Sequence, residues 1–282
     1  MDIILDVLFD TCIDALRLLP FLFLTYLAME CLEHWTGGRM QDIVRKSGKA
    51  GPAIGGLLGI FPQCGFSAAA ANLYAGRIIT LGTLTAVFLS TSDEMLPIMI
   101  SENVPPSMIG KILLLKVIFA LAAGFLVDFI FRKKVEMQIG HLCERQHCHC
   151  EKGIWRSAFH HTWKIFLYLI VVSLILNFAI ALIGEEALAA LVQGKPALSL
   201  FLAALVGMIP NCASSVVLTQ LYLGGVLSAG ALMAGLLSGS GVGYLVLLRV
   251  NEDRRENLRI FVLLYVIGVG AGALTHLLGM SF

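Results

Sequence analysis

Two apolar stretches of the chain carry the same proline-centred motif. It reads FPQCGFS at positions 61–67 and IPNCASS at positions 209–215. Proline inside a helix removes a backbone hydrogen-bond donor and clashes with the preceding turn, at a cost of about 3 kcal/mol, so each stretch is expected to break at its motif. Few folds accept such breaks, because irregular backbone away from water must find its hydrogen-bond partners within the protein.

The two motifs belong to a longer internal repeat. Cys64 and Cys212 are 148 positions apart, and moving the chain by that offset aligns residues 61–96 with residues 209–244 without a gap. The alignment contains 12 identities in 36 positions, including Tyr74 with Tyr222, where apolar composition alone would give roughly 3. The sequence therefore predicts two related halves.

Composition indicates that both halves lie in a membrane. The chain has 58% hydrophobic residues, 14% charged residues and a mean hydropathy of +0.85, whereas soluble domains carry about 25% charged residues. The net charge of +1, with no basic face, excludes nucleic acid as a partner. Segments long enough to cross a bilayer are predicted at 16–34, 78–100, 109–131, 163–183, 226–248 and 260–278.

The charges of the loops predict an orientation. The linkers at 39–49, 132–134 and 249–255 are basic, whereas the loops at 101–107 and 184–196 are not. Basic loops face the cytoplasm, and all three can do so only if the broken stretches 53–74 and 197–222 turn back as re-entrant hairpins. We therefore predict an all-α polytopic membrane protein with two inverted-topology repeats. Each repeat has three spanning helices plus a re-entrant broken-helix hairpin, which gives ten apolar segments.

This topology divides the chain into three parts. Residues 1–134 form the first membrane repeat, residues 135–160 a cytoplasmic linker rich in His and Cys, and residues 161–282 the second membrane repeat. Both termini are predicted to lie outside the cell inner (plasma) membrane, with the lipid bilayer as the surrounding partner. The sequence is compatible with an oligomer and leaves its size open.

Inverted repeats with broken helices are typical of secondary transporters, which bind their substrate where the broken segments meet. The substrate-binding residues predicted from the two motifs are Gln63, Cys64, Ser67, Asn211, Cys212 and Ser215. The amino ends of half-helices also suit an anionic or oxygen-rich ligand, while thiols favour thiophilic metals or trivalent metalloids. The alternative is that the two cysteines are small core residues.

A second polar cluster, LSTSDEMLP, occupies positions 89–97. A carboxylate at membrane depth costs at least ~2.5 kcal/mol, which marks it as functional by default. Asp93 and Glu94 are therefore predicted metal ligands, together with Cys64 and Cys212. Three serines extend the predicted substrate site: Ser90, Ser92 and Ser238, the last of which is equivalent to Ser90. Lys116 is predicted to be a coupling residue or counter-ion; alternatively, it forms only a structural ion pair with these carboxylates.

The residues 61–99 and 209–250 resemble the family of ten-transmembrane heavy-metal exporters related to arsenic efflux permeases, some members of which are labelled manganese transporters. The resemblance covers nearly the whole chain. It implies ten segments, and it implies site roles for Pro62, Gln63, Cys64, Ser67 and residues 90–94, and for Pro210, Asn211, Cys212 and Ser215. Manganese would prefer the oxygen ligands of this set and arsenite the thiols, so the substrate stays open.

Two further groups of residues are candidate metal ligands. The tract HLCERQHCHC supplies His141, Cys143, His147, Cys148, His149 and Cys150, a density typical of metal binding. It is predicted either to capture or sense metal in the cytosol or to be a solvated linker. Glu30 and His34, four residues apart, are secondary candidates, with a solvated helix end as the alternative.

These features predict a secondary transporter, not an enzyme, that exports Mn²⁺, another divalent cation or arsenite. No cofactor is predicted, and no nucleotide-binding phosphate loop is found in the sequence. One alternative is a transporter of a small anion or organic solute. A second is an intramembrane lipid-phosphate hydrolase, which would want arginines at membrane depth. A third is an accessory membrane subunit, which would not need paired helix breaks.

Overall fold

The protein is described here from a computed structural model of its 282 residues. The structure describes residues 50–60, 64–91, 95–131, 154–183 and 196–280, together with seven single positions: Ile13, Leu16, Leu19, Pro20, Phe23, Leu24 and Leu27. All regular secondary structure within these ranges is helical. This agrees with the predicted all-α class.

The first half contributes five helices to the described ranges: α1 (Gly51–Leu58), α2 (Cys64–Ala75), α3 (Leu81–Ser90), α4 (Met95–Ser101) and α5 (Pro106–Ile130). The long helix α6 (Ile154–Ile183) follows. The second half contributes α7 (Pro196–Gly207), α8 (Cys212–Leu223), α9 (Ala229–Ser238), α10 (Val242–Val250) and α11 (Arg254–Leu277).

The helix boundaries recur at the offset that aligns the two sequence halves. Moving α2 and α3 by 148 positions reproduces the bounds of α8 and α9, and moving Pro106, the start of α5, gives Arg254, the start of α11. Helices α3 and α9 also begin with the same kind of N-cap hydrogen bond. Thr80 accepts a hydrogen bond from the backbone N–H of Thr83, and Ser228 accepts one from that of Ala231. Equivalent capping residues therefore start equivalent helices.

The packing of the helices is also repeated between the two halves. Within the first half α1, α3 and α5 pack together, and within the second half α7, α9 and α11 do so. Between the halves, α2 packs on α10 while α8 packs on α4, and α3 contacts α11 while α9 contacts α5. Each half thus places its short second helix against the other half, so the two halves share one core.

Both proline motifs interrupt a helix, as predicted. Helix α1 ends at Leu58 and α2 begins at Cys64, and helix α7 ends at Gly207 and α8 begins at Cys212. The residues at 208–211 are turns and bends rather than helix. Hydrogen bonds of 3.1 Å from the Ile209 N–H to the Val206 carbonyl and 2.7 Å from the Asn211 N–H to the Ile209 carbonyl partly satisfy the broken backbone.

The span predicted at 226–248 corresponds to the apolar segment Ala229–Val250, but helix ends fall inside both this segment and the span predicted at 78–100. Helix α3 ends at Ser90, Thr91 is not helical (φ −54°, ψ 127°), and α4 is described from Met95. In the second half, α9 ends at Ser238 and α10 starts at Val242, with Gly241 at a φ of 52°. An L-residue is strained at such a φ whereas glycine is not, so Gly241 permits this turn. Apolar length alone does not reveal these breaks, because both pieces remain hydrophobic, although Pro97, the third residue of α4, marks the first of them.

Three described helical segments are long and apolar enough to cross a membrane: Pro106–Ile130, Ala229–Val250 and Arg254–Leu277. The middle segment includes the break between α9 and α10, and 83% of its most apolar window is buried inside the protein, against 33% for the other two. The outer faces of α5 and α11 therefore meet the lipid, and α9 with α10 forms the centre. The protein is a multi-pass membrane protein.

Candidate functional site

A small cavity of about 20 Å³ lies where three helix breaks meet. This volume is close to the space that one water molecule or one small ion needs. Its lining comes from both halves: Thr91, Met95 and Lys116 from the first half and Gly207, Asn211, Ser214, Ser215, Leu218, Gly235, Leu236, Gly239 and Gly241 from the second. The cavity thus adjoins the ends of α3, α7 and α9 and the starts of α4, α8 and α10.

Lys116 is the cation of this cavity. It lies in the middle of α5 with 1% of its surface exposed, and its Nζ donates a hydrogen bond to the backbone carbonyl of Thr91. That carbonyl is at the carboxyl end of α3, where the helix dipole favours a positive charge. Lys116 therefore stabilises the broken end of α3, and its side chain is part of the cavity lining. The predicted pairing with a carboxylate involves Asp93 and Glu94, which are outside the described residues.

The opposite wall is the beginning of α8. Asn211 occupies the N-cap position and is 6% exposed, and the Ser214 hydroxyl donates to the Asn211 carbonyl at 2.8 Å. Ser215, in the first turn of the same helix, also lines the cavity. The first backbone N–H groups of a helix lack partners within it and favour negative charge or oxygen atoms. This wall therefore carries an amide, two hydroxyls and the first backbone N–H groups of α8.

Glycines form the third wall because the backbones approach closely there. A Cβ atom added to Gly207 would overlap the carbonyl oxygen of Gly235, and one added to Gly239 would lie 3.2 Å from the carbonyl oxygen of Gly207. Small residues allow helices inside membrane proteins to pack backbone against backbone. Here they bring the end of α7 against α9 and keep the cavity narrow.

The structure brings three of the sequence-predicted site residues to the cavity: Lys116, Asn211 and Ser215. Cys64 and Cys212 are the first residues of α2 and α8. Three predicted serines are not among the lining residues. Ser67 is buried against Gly243, the Ser90 hydroxyl donates to the Val87 carbonyl at 3.1 Å, and the Ser238 hydroxyl donates to the Ala234 carbonyl at 2.8 Å.

The remaining predicted site residues lie outside the described residues. They are Gln63, Ser92, Asp93, Glu94, the tract of His141, Cys143, His147, Cys148, His149 and Cys150, and the pair Glu30 and His34. Within the described ranges, no group of three or more His, Cys, Asp or Glu side chains is close enough to hold a metal ion. Thr91 and Met95, the described neighbours of residues 92–94 in the chain, both line the cavity.

The sequence analysis did not predict most of the residues from the second half of the chain that line the cavity. Thr91 and Gly239 are equivalent at the repeat offset, as are Asp93 and Gly241, so a site on one helix break predicts residues on the other. The signal was the run of glycines at 235, 239 and 241 inside an apolar segment. Glycine at such spacing indicates close backbone approach more often than flexibility.

A second polar cluster joins the two halves at one end of the molecule. The Arg77 guanidinium binds the Glu256 carboxylate through two hydrogen bonds, of 2.9 Å to Oε1 and 2.7 Å to Oε2. The Tyr74 hydroxyl donates to Glu256 Oε1 at 2.7 Å. Hydrogen bonding to Glu256 raises the pKa of Arg77 above its ordinary value, so this arginine stays charged. The sequence alone did not predict that Arg77 and Glu256 would be partners.

Comparison with known proteins gives the family. Residues 1–185 match the model of a family described as "Putative, 10TM heavy-metal exporter". No curated protein and no solved structure matches the chain. The match covers well over half of the 282 residues, includes the first motif, Lys116 and the linker, and agrees with the resemblance carried by the motifs. The chain therefore belongs to this family of ten-transmembrane heavy-metal exporters.

Proposed function

We propose that the protein is a secondary transporter that exports a divalent metal ion or a metalloid, Mn²⁺ or arsenite being the two chemical extremes, through the cavity between its halves. The observation that carries the proposal is the meeting of three helix breaks around one small cavity whose lining includes the polar side chains of Thr91, Lys116, Asn211, Ser214 and Ser215. Irregular backbone at membrane depth is tolerated only where protein buries it or where it lines a wet cavity. Substrate sites of secondary transporters are built in this way.

We assign the metal ligands to the segment between Thr91 and Met95. Both of these residues line the cavity, and only Ser92, Asp93 and Glu94 separate them in the chain. The chain's reach limits how far three residues can depart from their flanks. Carboxylates beside the amide and hydroxyls of the α8 wall would form an oxygen-rich set that suits Mn²⁺ or a related divalent cation. Cys64 and Cys212, at the starts of α2 and α8, would supply thiols for arsenite.

The proposed topology rests on the distribution of charge. Arg77 pairs with Glu256, and Thr80 in the same loop bonds Asp128 near the end of α5. These contacts bring the loops 76–80 and 251–253 and the end of α5 together at one end of the molecule. We call this the basic end, because Arg249, Arg254 and Arg255 lie there and because Arg132, Lys133 and Lys134 follow α5 in the chain. Basic loops favour the cytoplasm.

The proposal therefore places the basic end and the linker 135–160 in the cytoplasm and both termini outside the plasma membrane. The repeats 1–134 and 161–282 would then be inverted, and the tract at 141–150 would meet cytosolic metal before it enters the cavity. Deleting residues 141–150 should weaken transport at limiting metal without abolishing it. Unchanged transport at limiting metal would refute the capture role.

Flux measurements in liposomes test the substrate. Purified protein is reconstituted and assayed with Mn²⁺, Zn²⁺, Fe²⁺, arsenite and phosphate. Asp93→Asn should lower Mn²⁺ flux at least about tenfold, the scale of losing one important group at a metal site, and leave arsenite flux nearly unchanged. Cys64→Ala combined with Cys212→Ala should do the reverse. Glu102→Gln, an exposed carboxylate between α4 and α5, is the matched control.

A small anion is the second candidate substrate, and Lys116 is the observation that favours it. An ammonium group and the first turn of α8 both line the cavity, and each stabilises negative charge. Phosphate flux that depends on Lys116 but not on Asp93 would select this candidate. A lipid-phosphate hydrolase is less well supported, because Arg77 is bound to Glu256 and does not line the cavity.

A further inference from the structure

The Arg77 and Glu256 pair connects the two halves directly. Arg77 follows α2 in the first half, and Glu256 is in the first turn of α11 in the second. The guanidinium and carboxylate form the parallel two-bond geometry that gives arginine pairs their specificity. The Arg77 side chain is 33% exposed and that of Glu256 15%, so the pair is screened less than an ordinary surface pair.

Neighbouring side chains hold both partners in place. The Arg77 guanidinium lies over the Tyr74 ring, 5.3 Å from its centroid. On the other half, Asn251 donates to Glu256 Oε2 at 3.2 Å and to Asn257 Oδ1 at 2.8 Å. Asn257 returns a hydrogen bond to the Asn251 carbonyl at 2.9 Å. The carboxylate is therefore oriented by the turn between α10 and α11 before the arginine binds it.

The equivalent corner in the other half has different residues. At the repeat offset, Arg77 corresponds to Gly225 and Glu256 to Met108, although Tyr74 and Asn251 have the matching residues Tyr222 and Asn103. This corner keeps the tyrosine and the asparagine but lacks both charges. The positions equivalent to Arg77 and Glu256 therefore cannot form a charged contact with each other.

The backbone at Arg77 is strained, whereas that of its counterpart in the other half is not. Arg77 has a φ of 57°, and its counterpart Gly225 has a φ of 74°. Glycine adopts such a φ without strain, whereas arginine does not. The first half thus holds a strained residue in the turn that the second half makes with glycine. Strain of this kind persists where the surrounding contacts enforce it and clusters at switch regions.

We infer that Arg77 and Glu256, with Tyr74 and Asn251, form a latch that closes the basic end of the protein and opens in each transport cycle. This inference rests on the proposed transport function. The halves must separate at each end in turn for a central cavity to be reached from both sides. Because the latch holds the basic end together, it favours the conformation closed at that end, and weakening the latch shifts the population toward opening there.

Distance measurements test the latch without requiring transport. Spin labels are attached through non-natural amino acids at Ile78 and Glu252, so that all 7 native cysteines remain. The intact protein should give mainly a short distance, and Arg77→Gln and Glu256→Gln should each add a longer component. Arg254→Gln removes an exposed charge near the same loop and should leave the distribution unchanged. The same distribution in Arg77→Gln and in the intact protein would overturn the inference.

A charge exchange separates a latch from a merely stabilising contact. Arg77→Glu combined with Glu256→Arg should restore the short distance that each single change loses, and Arg77→Lys, which keeps the charge but not the two-bond geometry, should be intermediate. If the single variants do not fold, adding Mn²⁺, arsenite or phosphate in turn to the intact labelled protein gives the same test. A longer component with any of them supports the latch, and an unchanged distribution with all three refutes it.

Flux in the same liposomes distinguishes failure of the latch from failure of the proposed function. In Arg77→Gln the apparent KM for substrate should fall about threefold or more on the basic side and rise on the other, because the competent population differs on the two sides. Absence of metal flux in the intact protein, with label distances that respond to Arg77→Gln, refutes metal export and supports the latch. Normal flux with no change in KM or distance in Arg77→Gln refutes the latch alone.

Discussion

The break between α3 and α4 and its counterpart between α9 and α10 occupy equivalent places and have different chemistry. The first has Thr91, followed in the chain by two carboxylates, and Lys116 packs against it. The second has Gly239, Ser240 and Gly241, and the position equivalent to Lys116 is Leu264, which is fully buried. Both breaks border the cavity. Charged residues accompany the first break, and small or apolar residues accompany the second. This difference indicates that the two copies of the repeat have diverged in chemistry while keeping the same helix order.

Placing a lysine in the second half gives the largest expected effect. Leu264→Lys buries an ammonium group at a site fitted to an apolar side chain, and an uncompensated buried charge costs about 3–5 kcal/mol. Unfolding in detergent should show the loss in the free energy of unfolding.

Lys116→Leu is the reciprocal variant of this comparison. It removes the donor to the Thr91 carbonyl and should cost only about 1–3 kcal/mol. Equal losses in Leu264→Lys and Lys116→Leu would show that the two breaks are equivalent despite their sequences.

Filling the glycine wall should have the next largest effect. Gly207→Ala introduces a Cβ atom against the Gly235 carbonyl, and overpacking of a core costs about 1–3 kcal/mol. The control is Gly110→Ala in α5, where an added Cβ meets no atom within 4 Å. That change should be neutral or stabilising, because alanine favours helix over glycine by about 1 kcal/mol. Thermal melting compares the two variants, and similar melting temperatures would show that the cavity wall can relax.

The smallest expected effect on the free energy of unfolding comes from Asp128 and its counterpart His276, which lie near the ends of α5 and α11. Asp128 accepts hydrogen bonds of 2.8 Å from the Gly82 N–H and 2.7 Å from the Thr80 hydroxyl, at the start of α3. Its counterpart is His276, which is exposed at the end of α11. Asp128→Ala should lower the free energy of unfolding by about 1 kcal/mol, the usual cost of losing a cap.

His276→Ala is the matched change in the second half. It should change the free energy of unfolding by less than about 0.5 kcal/mol, as surface substitutions usually do. Equal losses in the two variants would mean that His276 also holds its helix pair together.

Much of the fold followed from patterns local in sequence. The repeat offset of 148 predicts that helices recur in the second half, and the bounds of α8 and α9 do so. The two prolines predict two of the helix breaks, because their effect acts within one turn. Of the other two breaks, the one before α4 is marked by Pro97, the third residue of that helix, and the one before α10 has no proline near it. They depend on Lys116 reaching the Thr91 carbonyl from 25 positions away and on the tight backbone turn at Gly241.

The candidate site was predicted in part for the same reason. Asn211, Ser215 and Lys116 stand out as polar residues in apolar segments, and the structure brings them to one cavity. Ser90 and Ser238 share that signal, yet their hydroxyls bind carbonyls of their own helices. A serine in a helix can satisfy itself locally, so its presence in an apolar run does not distinguish a binding role from this one.

The sequence by itself determined that this protein lies in a membrane, that it is built twice and that its chain breaks at the two proline motifs. These properties follow from composition, periodicity and single-residue backbone chemistry. Only the tertiary structure decided that α2 packs on α10 and α8 on α4, that glycine backbones close one wall of the cavity, and that Arg77 reaches Glu256. Those contacts join residues far apart in the chain, and their formation depends on how two packed surfaces fit.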